Sequence, residues 1–327
     1  MDGQRFDWAT RADKHAIEAE PVEARWSPGS VYTMLSETAA RHGRRKAVSF
    51  QLKGGASDPA EVMDWETLHR DVTRAANLFR RLGVGPSDTV AYILPNANET
   101  VVTLLAGMTA GVVLPVNPLL ETAQISAILR ETGAKVAVTL APFPKTDIAQ
   151  KVDRALEDAP GVAALIEVDL KDYLSPPLSW LIPFMRPKLA RRHGAAVMPF
   201  RASVAGESAT LSFTPDESPD RIAATFHTGG TTGHPKIARH TQGGQIYNGR
   251  APAMVIIGED DVLICPLPLF HVLAAYPVLM SVIAAGAHLV LPTPAGFRGD
   301  GVMDNFWALV ERYRVTFMVM VPTAASA

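Results

Sequence analysis

At 327 residues the chain exceeds the roughly 250–300 at which single hydrophobic cores stop growing, so at least two packed units are expected. With 31 basic against 33 acidic residues there is no global field for nucleic acid, and the basic clusters at Arg41–Lys46 and Arg186–Arg192 are short. The single cysteine, Cys265 in the apolar run LICPLPLF, excludes an intrachain disulfide scaffold and reads as a buried, inert thiol.

Residues 1–29 read as an N-terminal extension. Its opening, MDGQRFDWATRADKHAIEAE, is charged throughout and lacks the apolar core of a signal peptide, so the expected location is cytoplasmic. Ser30 can cap a helix over VYTMLSETAARHG. Asp64 starts a stronger helix, in which Leu68, Val72, Ala75, Leu78 and Leu82 recur at helical spacing before Gly83.

A βαβαβ rhythm follows: strand 89–94, helix 97–110, strand 112–116, helix 122–132 ended by Gly133, strand 135–140, with a further strand at 163–168. This alternation predicts a parallel sheet covered on both faces, joined by right-handed crossovers. Residues 170–220 are the least regular. They include LSWLIPFMRPKLARR, where an apolar segment leads into basic residues. A membrane-surface or partner-docking element would fit that adjacency; a loop packed on the domain surface is the expected alternative.

Strand 222–228 then enters a glycine-rich loop, extended structure resumes over 236–240, and a helix covers 244–255. From Val262 to Phe297 there is no Asp, Glu, Lys or Arg, a length sufficient to span a bilayer. Pro266, Pro268, Pro277 and Pro292 divide it, so it reads as a buried strand (262–265), a helix (272–285) and another strand (288–291). Helix 302–313 and strand 315–321 complete the pattern. The sequence then reaches VPTAASA without a closing element, from which a truncated chain with an exposed sheet edge is expected.

The loop carries the chemistry. FHTGGTTGHPK (226–236) gathers three glycines, three threonines and a lysine after an apolar strand. Glycine lets backbone N–H groups converge on an anion, threonine adds hydroxyls, and lysine supplies a point charge, so the stretch reads as a polyphosphate cradle. It is not a Walker A loop: His234 and Pro235 separate Gly233 from Lys236, and extended structure rather than a helix follows. No G-x-G-x-x-G fingerprint is present either.

TGGTTGHPK (Thr228 to Lys236) resembles the phosphate-loop signature of the adenylate-forming (AMP-binding) superfamily, [ST]-[SG]-G-[ST]-T-G-x-P-K. PLPLFHV (Pro266 to Val272) resembles the second core motif of its acyl-CoA synthetase branch, and NANETVVTLLAGMTAGVVLPVNP and YRVTFMVMVPT resemble helix–strand segments of that branch. The likeness spans roughly Ser30 to Ala327 and implies an α/β fold, the truncated large N-terminal domain of an adenylate-forming enzyme, built of mostly parallel sheets covered by helices. A first subdomain is expected over 30–201, with an irregular insertion near 170–201, and a phosphate-loop subdomain over 202–327. The C-terminal lid domain and the adenine, ribose and adenylation-lysine motifs would lie beyond the chain.

The resemblance implies an ATP-dependent ligase that adenylates a carboxylate and passes the acyl group to coenzyme A, with ATP, Mg²⁺, CoA and a fatty or other apolar carboxylic acid as partners. It assigns Thr228, Gly229, Gly230, Thr231, Thr232, Gly233 and Lys236 to the β- and γ-phosphates, with Thr231 or Thr232 near the metal. His271 would approach the carboxylate or adenylate oxygen, and it is the catalytic candidate together with Lys236. His240 reads equally as structural or substrate-lining, and His227 receives no role. Ile237 and Ala238 depart from the commoner Gly-Val, and Leu273-Ala274-Ala275 lacks a glycine often found there, which leaves the pocket's shape open. An aryl or amino-acid adenylating enzyme that loads a carrier protein, a noncatalytic nucleotide-binding fragment and a membrane-interaction protein remain alternatives.

Overall fold

The computed structural model describes residues 9–21, 29–227 and 236–325. After a short α1 (Arg11–Ala19), α2 (Val31–His42) begins where Ser30 Oγ accepts the Thr33 N–H. Two strands follow, β1 (Lys46–Gln51) and β2 (Ala60–Asp64), then α3 (Trp65–Arg81). The Asp64 side chain caps α3 by accepting the Thr67 N–H at 2.8 Å, and Leu68, Val72, Ala75 and Leu78 are fully buried along one face, as their spacing predicts. Each of the leucines and the valine contributes about 1.5–3 kcal/mol from burial.

Next come β3 (Thr89–Ile93), α4 (Asn98–Ala110), β4 (Val112–Pro115), α5 (Thr122–Glu131), β5 (Ala134–Leu140), α6 (Ile148–Glu157) and β6 (Ala164–Val168). The segment expected to be irregular contains α7 (Leu178–Met185), β7 (Ala196–Pro199) and α8 (Phe200–Ala205). It leads to β8 (Ile222–His227), β9 (Ile237–Thr241) and α9 (Gln242–Val255). The remainder is β10 (Val262–Ile264), a π-helical turn (Ala274–Val278), α10 (Leu279–Ala285), β11 (His288–Leu291), α11 (Phe306–Tyr313), β12 (Phe317–Met318) and α12 (Pro322–Ala325).

Among the described residues the strands form two sheets. One is seven-stranded in the order β7-β6-β5-β3-β4-β8-β9, parallel except for the β8–β9 pair. The other is five-stranded in the order β12-β10-β11-β1-β2, parallel except for β1–β2. Both sheets take strands from either side of the 201/202 boundary expected from the sequence, and one apolar core runs beneath both. In α4 all thirteen residues are buried, polar ones such as Glu99 and Thr103 included, so it has no solvent-facing side and is not amphipathic.

Three local expectations change. The helix expected from Val272 opens as a π turn, because Pro277 has no N–H for the regular ladder. The last strand shortens to Phe317–Met318, where it pairs with β10, and Pro322 opens a helical turn. LSWLIPFM is a helix whose side chains stand largely in solvent rather than a packed loop. Among the described residues no helix is long and apolar enough to cross a membrane. Cys265 is buried as expected, and burial pushes its thiol up to about 12, which leaves it protonated and inert.

Candidate active site at the end of strand β8

β8 lies parallel to β4, with Val113 opposite Ala224, so both strands deliver their carboxyl ends to the same rim of the sheet. In open α/β sheets this rim is where ligands bind, because the chain leaves each strand there as a free loop. His227 closes β8 and pairs directly with Ile237 at the start of β9, so the two positions flanking 228–236 in sequence stand side by side. Thr228, Gly229, Gly230, Thr231, Thr232 and Gly233 lie outside the described residues. Lys236 is described: it stands exposed immediately before β9, which fixes it at the base of the glycine loop.

His271 is exposed and sits just before the π turn. Its Nδ1 accepts the Leu273 N–H at 3.3 Å, and its carbonyl oxygen accepts the N–H groups of Ala274 and Ala275 at 3.1 Å each. With Nδ1 used as an acceptor, the neutral ring carries its proton on Nε2. His227, to which the sequence assigned no chemistry, stands close by. Burial first, and then the neighbouring His271, hold its pKa below the usual histidine value. Its Nε2 accepts the Asn117 N–H at 3.1 Å, leaving Nδ1 as the donor. Lys236 therefore stands one residue before the β9 partner of His227 at the rim where β8 ends, and His271 lies within electrostatic reach of His227.

The segment that presents His271 is held from the other sheet. Asn96, which is buried, donates through Nδ2 to the Leu267 carbonyl and accepts the Leu269 N–H through Oδ1, each at 2.9 Å. This amide mimics a strand's hydrogen-bonding edge in a place with no strand. The Tyr92 hydroxyl adds a bond to the Leu269 carbonyl at 2.7 Å. Neither residue was identified from sequence. The signal available was the echo of LPNAN at 94–98 in LPVNP at 114–118, which reads only as two similar strand ends.

Behind the rim lies an aromatic wall. The Phe226, His240 and Tyr276 rings meet edge to face, with centroids 5.5 Å apart for Phe226–His240, 5.0 Å for Phe226–Tyr276 and 5.1 Å for His240–Tyr276. Burial lowers the pKa of His240, keeping the ring neutral, and raises that of Tyr276. The Tyr276 hydroxyl is buried without a hydrogen-bond partner among the described residues, as are both ends of the Gln245 amide in α9 and the Thr225 Oγ1 in β8. α9 is pressed against α10: a Cβ on Gly249 would stand 2.5 Å from the Met280 carbonyl oxygen.

These groups suit an anionic oxygen at the rim, met by imidazole N–H donors and a lysine, next to an apolar wall. Among the described residues no group of three or more His, Cys, Asp or Glu side chains could cage a metal. The described residues therefore offer no carboxylate cage for a magnesium ion, which would have to arrive with a ligand's phosphates, as this small, strongly hydrated ion commonly does. Two surface clefts, one beside Leu52, Tyr173 and Leu178 and one beside Glu61, Arg74 and Arg201, are lined by neither Lys236, His271 nor Tyr276.

A family model described as AMP-binding enzyme matches residues 35–327. The marinolic acid–CoA ligase of Pseudoalteromonas sp. (strain SANK 73390) is 29% identical over 324 residues, covering 97% of this chain and 46% of the relative. The salicyl-AMP ligase/salicyl-S-ArCP synthetase of Mycobacterium tuberculosis is 27% identical over 306 residues, covering 92% and 48%. Thus the chain spans about half the length of the curated relatives it matches. Among solved structures, a long-chain-fatty-acid-CoA ligase from Archaeoglobus fulgidus superposes with a TM-score of 0.71 at 19% identity, over 92% of this chain and 53% of that one, a likeness of fold.

Proposed function

Because the chain belongs to the AMP-binding enzyme family, we propose that it is the nucleotide- and carboxylate-binding part of an ATP-dependent acyl-CoA synthetase acting on an apolar carboxylic acid. The observation that supports this reading is that Lys236 adjoins the β9 partner of His227 at the carboxyl end of β8, with His271 within electrostatic reach of His227. In the first step a carboxylate oxygen bonds to the α-phosphorus of ATP as the bond to pyrophosphate breaks, giving an acyl-adenylate. In the second the thiol of CoA bonds to the acyl carbon, loses its proton, and AMP departs with the electron pair of the broken bond.

The chain's own residues answer the charge problem of the first step. A carboxylate approaching a triphosphate meets like charge, so donors must already face the oxygens where charge accumulates. Lys236 and the N–H groups of 228–233 would serve the β- and γ-phosphates. His271, with Nε2–H as donor, would serve the carboxylate or adenylate oxygen. Bound Mg²⁺ supplies further neutralisation of phosphate charge. The wall of Phe226, His240 and Tyr276 would receive the apolar part of the acid, with the Tyr276 hydroxyl and the Gln245 amide available to polar atoms near it.

The 27% identity to a salicyl-AMP ligase favours one second reading, an aryl-acid adenylating enzyme that loads a carrier protein. The test is a panel of aliphatic and aromatic acids given to the protein as it occurs in its source, with ATP, Mg²⁺ and CoA, following pyrophosphate release and product mass. Acyl-CoA formed from apolar aliphatic acids is the expected result. Pyrophosphate release from aromatic acids without any CoA thioester would replace this reading with the second. ATP retention without carboxylate-dependent turnover would leave a noncatalytic nucleotide binder.

A further inference from the structure

Helix α7 carries no charged residue and buries only Ile182. Phe184 is 88% exposed and Trp180 68%, with Leu178, Leu181 and Met185 also in solvent. Scattered apolar residues on a surface are ordinary, but five large ones on a single eight-residue helix form a contiguous projecting patch. Its flanks are not loose. Asp153 accepts the N–H groups of Ala190 and Arg191 at 3.1 Å each and lies 3.3 Å from His193. Arg191 pairs with Glu167 at 2.6 Å, and Arg186 pairs with Asp169.

This mooring sorts the nearby charges. Asp153, Glu167 and Asp169, the acidic groups facing the segment from α6 and from β6 and its end, are engaged by Arg186, Arg191, His193 and backbone N–H groups. Lys188 and Arg192, three and seven residues after Met185, remain exposed, with no ion-pair partner among the described residues. The result is an apolar knob containing a tryptophan, with uncompensated cations at its edge. It is about 12 Å long, too short to span a bilayer, but suited to lie in an interface.

We propose that α7 docks the protein on an anionic lipid surface, with Trp180, Leu181 and Phe184 entering the headgroup–acyl boundary and Lys188 and Arg192 meeting lipid phosphates. Trp favours this boundary because its ring is apolar and its N–H polar. The basic pair gives selectivity for negative headgroups and a dependence on salt. The proposal stands on α7 and its flanks alone and does not rest on the reaction.

The test is flotation with phosphatidylcholine vesicles carrying about 30% phosphatidylglycerol, compared with phosphatidylcholine alone, on the intact protein and three variants. Wild type should float with the anionic vesicles, and about 0.5 M salt should weaken this several-fold. Phe184→Glu should lower partitioning about tenfold or more, and Trp180→Ala by a smaller factor, with unchanged circular dichroism and melting because both side chains are largely in solvent. The double variant Lys188→Glu/Arg192→Glu should lose the preference for phosphatidylglycerol. Failure of folded wild type to float, or equal flotation of Phe184→Glu, overturns the proposal. So does a dimer in sedimentation that Phe184→Glu converts to monomer, which would assign the face to a second copy of the chain.

Discussion

In the middle of the seven-stranded sheet, Val90, Ala91, Val113, Val136 and Val138 are fully buried, and the Thr139 and Thr103 hydroxyls beside them are matched, with Asn98 Oδ1 at the start of α4 an exception among the described residues. The Thr139 hydroxyl donates to the Ile93 carbonyl at 3.2 Å and that of Thr103 to the Glu99 carbonyl at 2.6 Å. In the layer of β8, α9 and the π turn, the Tyr276 hydroxyl, the Gln245 amide and the Thr225 Oγ1 are buried without partners among the described residues. Folded proteins pair nearly all buried polar atoms, since each unpaired one costs about 1–3 kcal/mol. The first region is organised for stability. The second carries a stability cost, which the proposed ligand's polar atoms would offset.

The sharpest way to separate the two regions is a cavity in the first. Leu104→Ala, in the wholly buried α4, should cost about 2–5 kcal/mol in denaturant unfolding while leaving turnover per folded molecule unchanged. A loss of specific activity in the folded fraction would show that the regions are not separable.

Acid should act on the frame next. His288, hydrogen-bonded to Ser49 at 2.8 Å, has its pKa pushed down to about 4, first by burial and then by Lys46. The unfolded chain binds this proton near pH 6.5 and the folded chain does not until about pH 4. Stability from this group is therefore full above pH 6.5 and lost as pH falls toward 4, on the order of 3 kcal/mol in all. Melting temperature measured across that window should fall steeply in wild type and less in His288→Gln.

A smaller effect would cross from one region to the other. Asn96→Ala strips the clamp from Leu267 and Leu269, which should cost about 1–3 kcal/mol and also lower turnover, because the freed segment carries His271. Stability loss with unchanged turnover would make Asn96 purely structural. Smallest of all, Tyr276→Phe should be neutral or stabilising by up to about 1 kcal/mol, since it removes an unpaired hydroxyl, and should change the KM for the carboxylate. Clear destabilisation would mean that this hydroxyl is paired within the protein.

The same contrast explains what could be read from sequence. Strands β3 to β6 and their helices were legible because fully buried strands are continuous apolar runs, and α3 because its apolar residues follow the helical period. The β1–β2 pair was not: β2 is largely half-exposed, and β1 finds its other neighbour, β11, more than two hundred residues away. Local pattern also could not show that Pro277 would turn a helix start into a π turn, or that α7 would present its apolar face to solvent. At the proposed site, Lys236 and His271 are read from their motifs. Asn96, His227 and Tyr276 are placed by contacts between segments distant in the chain, which no spacing rule encodes.

The central claim, that the base of this loop handles phosphate charge, is tested most directly by carboxylate-dependent ATP–pyrophosphate exchange and melting temperature, measured together for wild type and Lys236→Ala in the protein as it occurs in its source. Lys236 is exposed, so melting should move by no more than about 2 °C. Exchange should fall about 10²–10³-fold, as expected when a preorganised charge partner is removed. Normal exchange per folded molecule, with or without a collapse in melting temperature, would contradict the account.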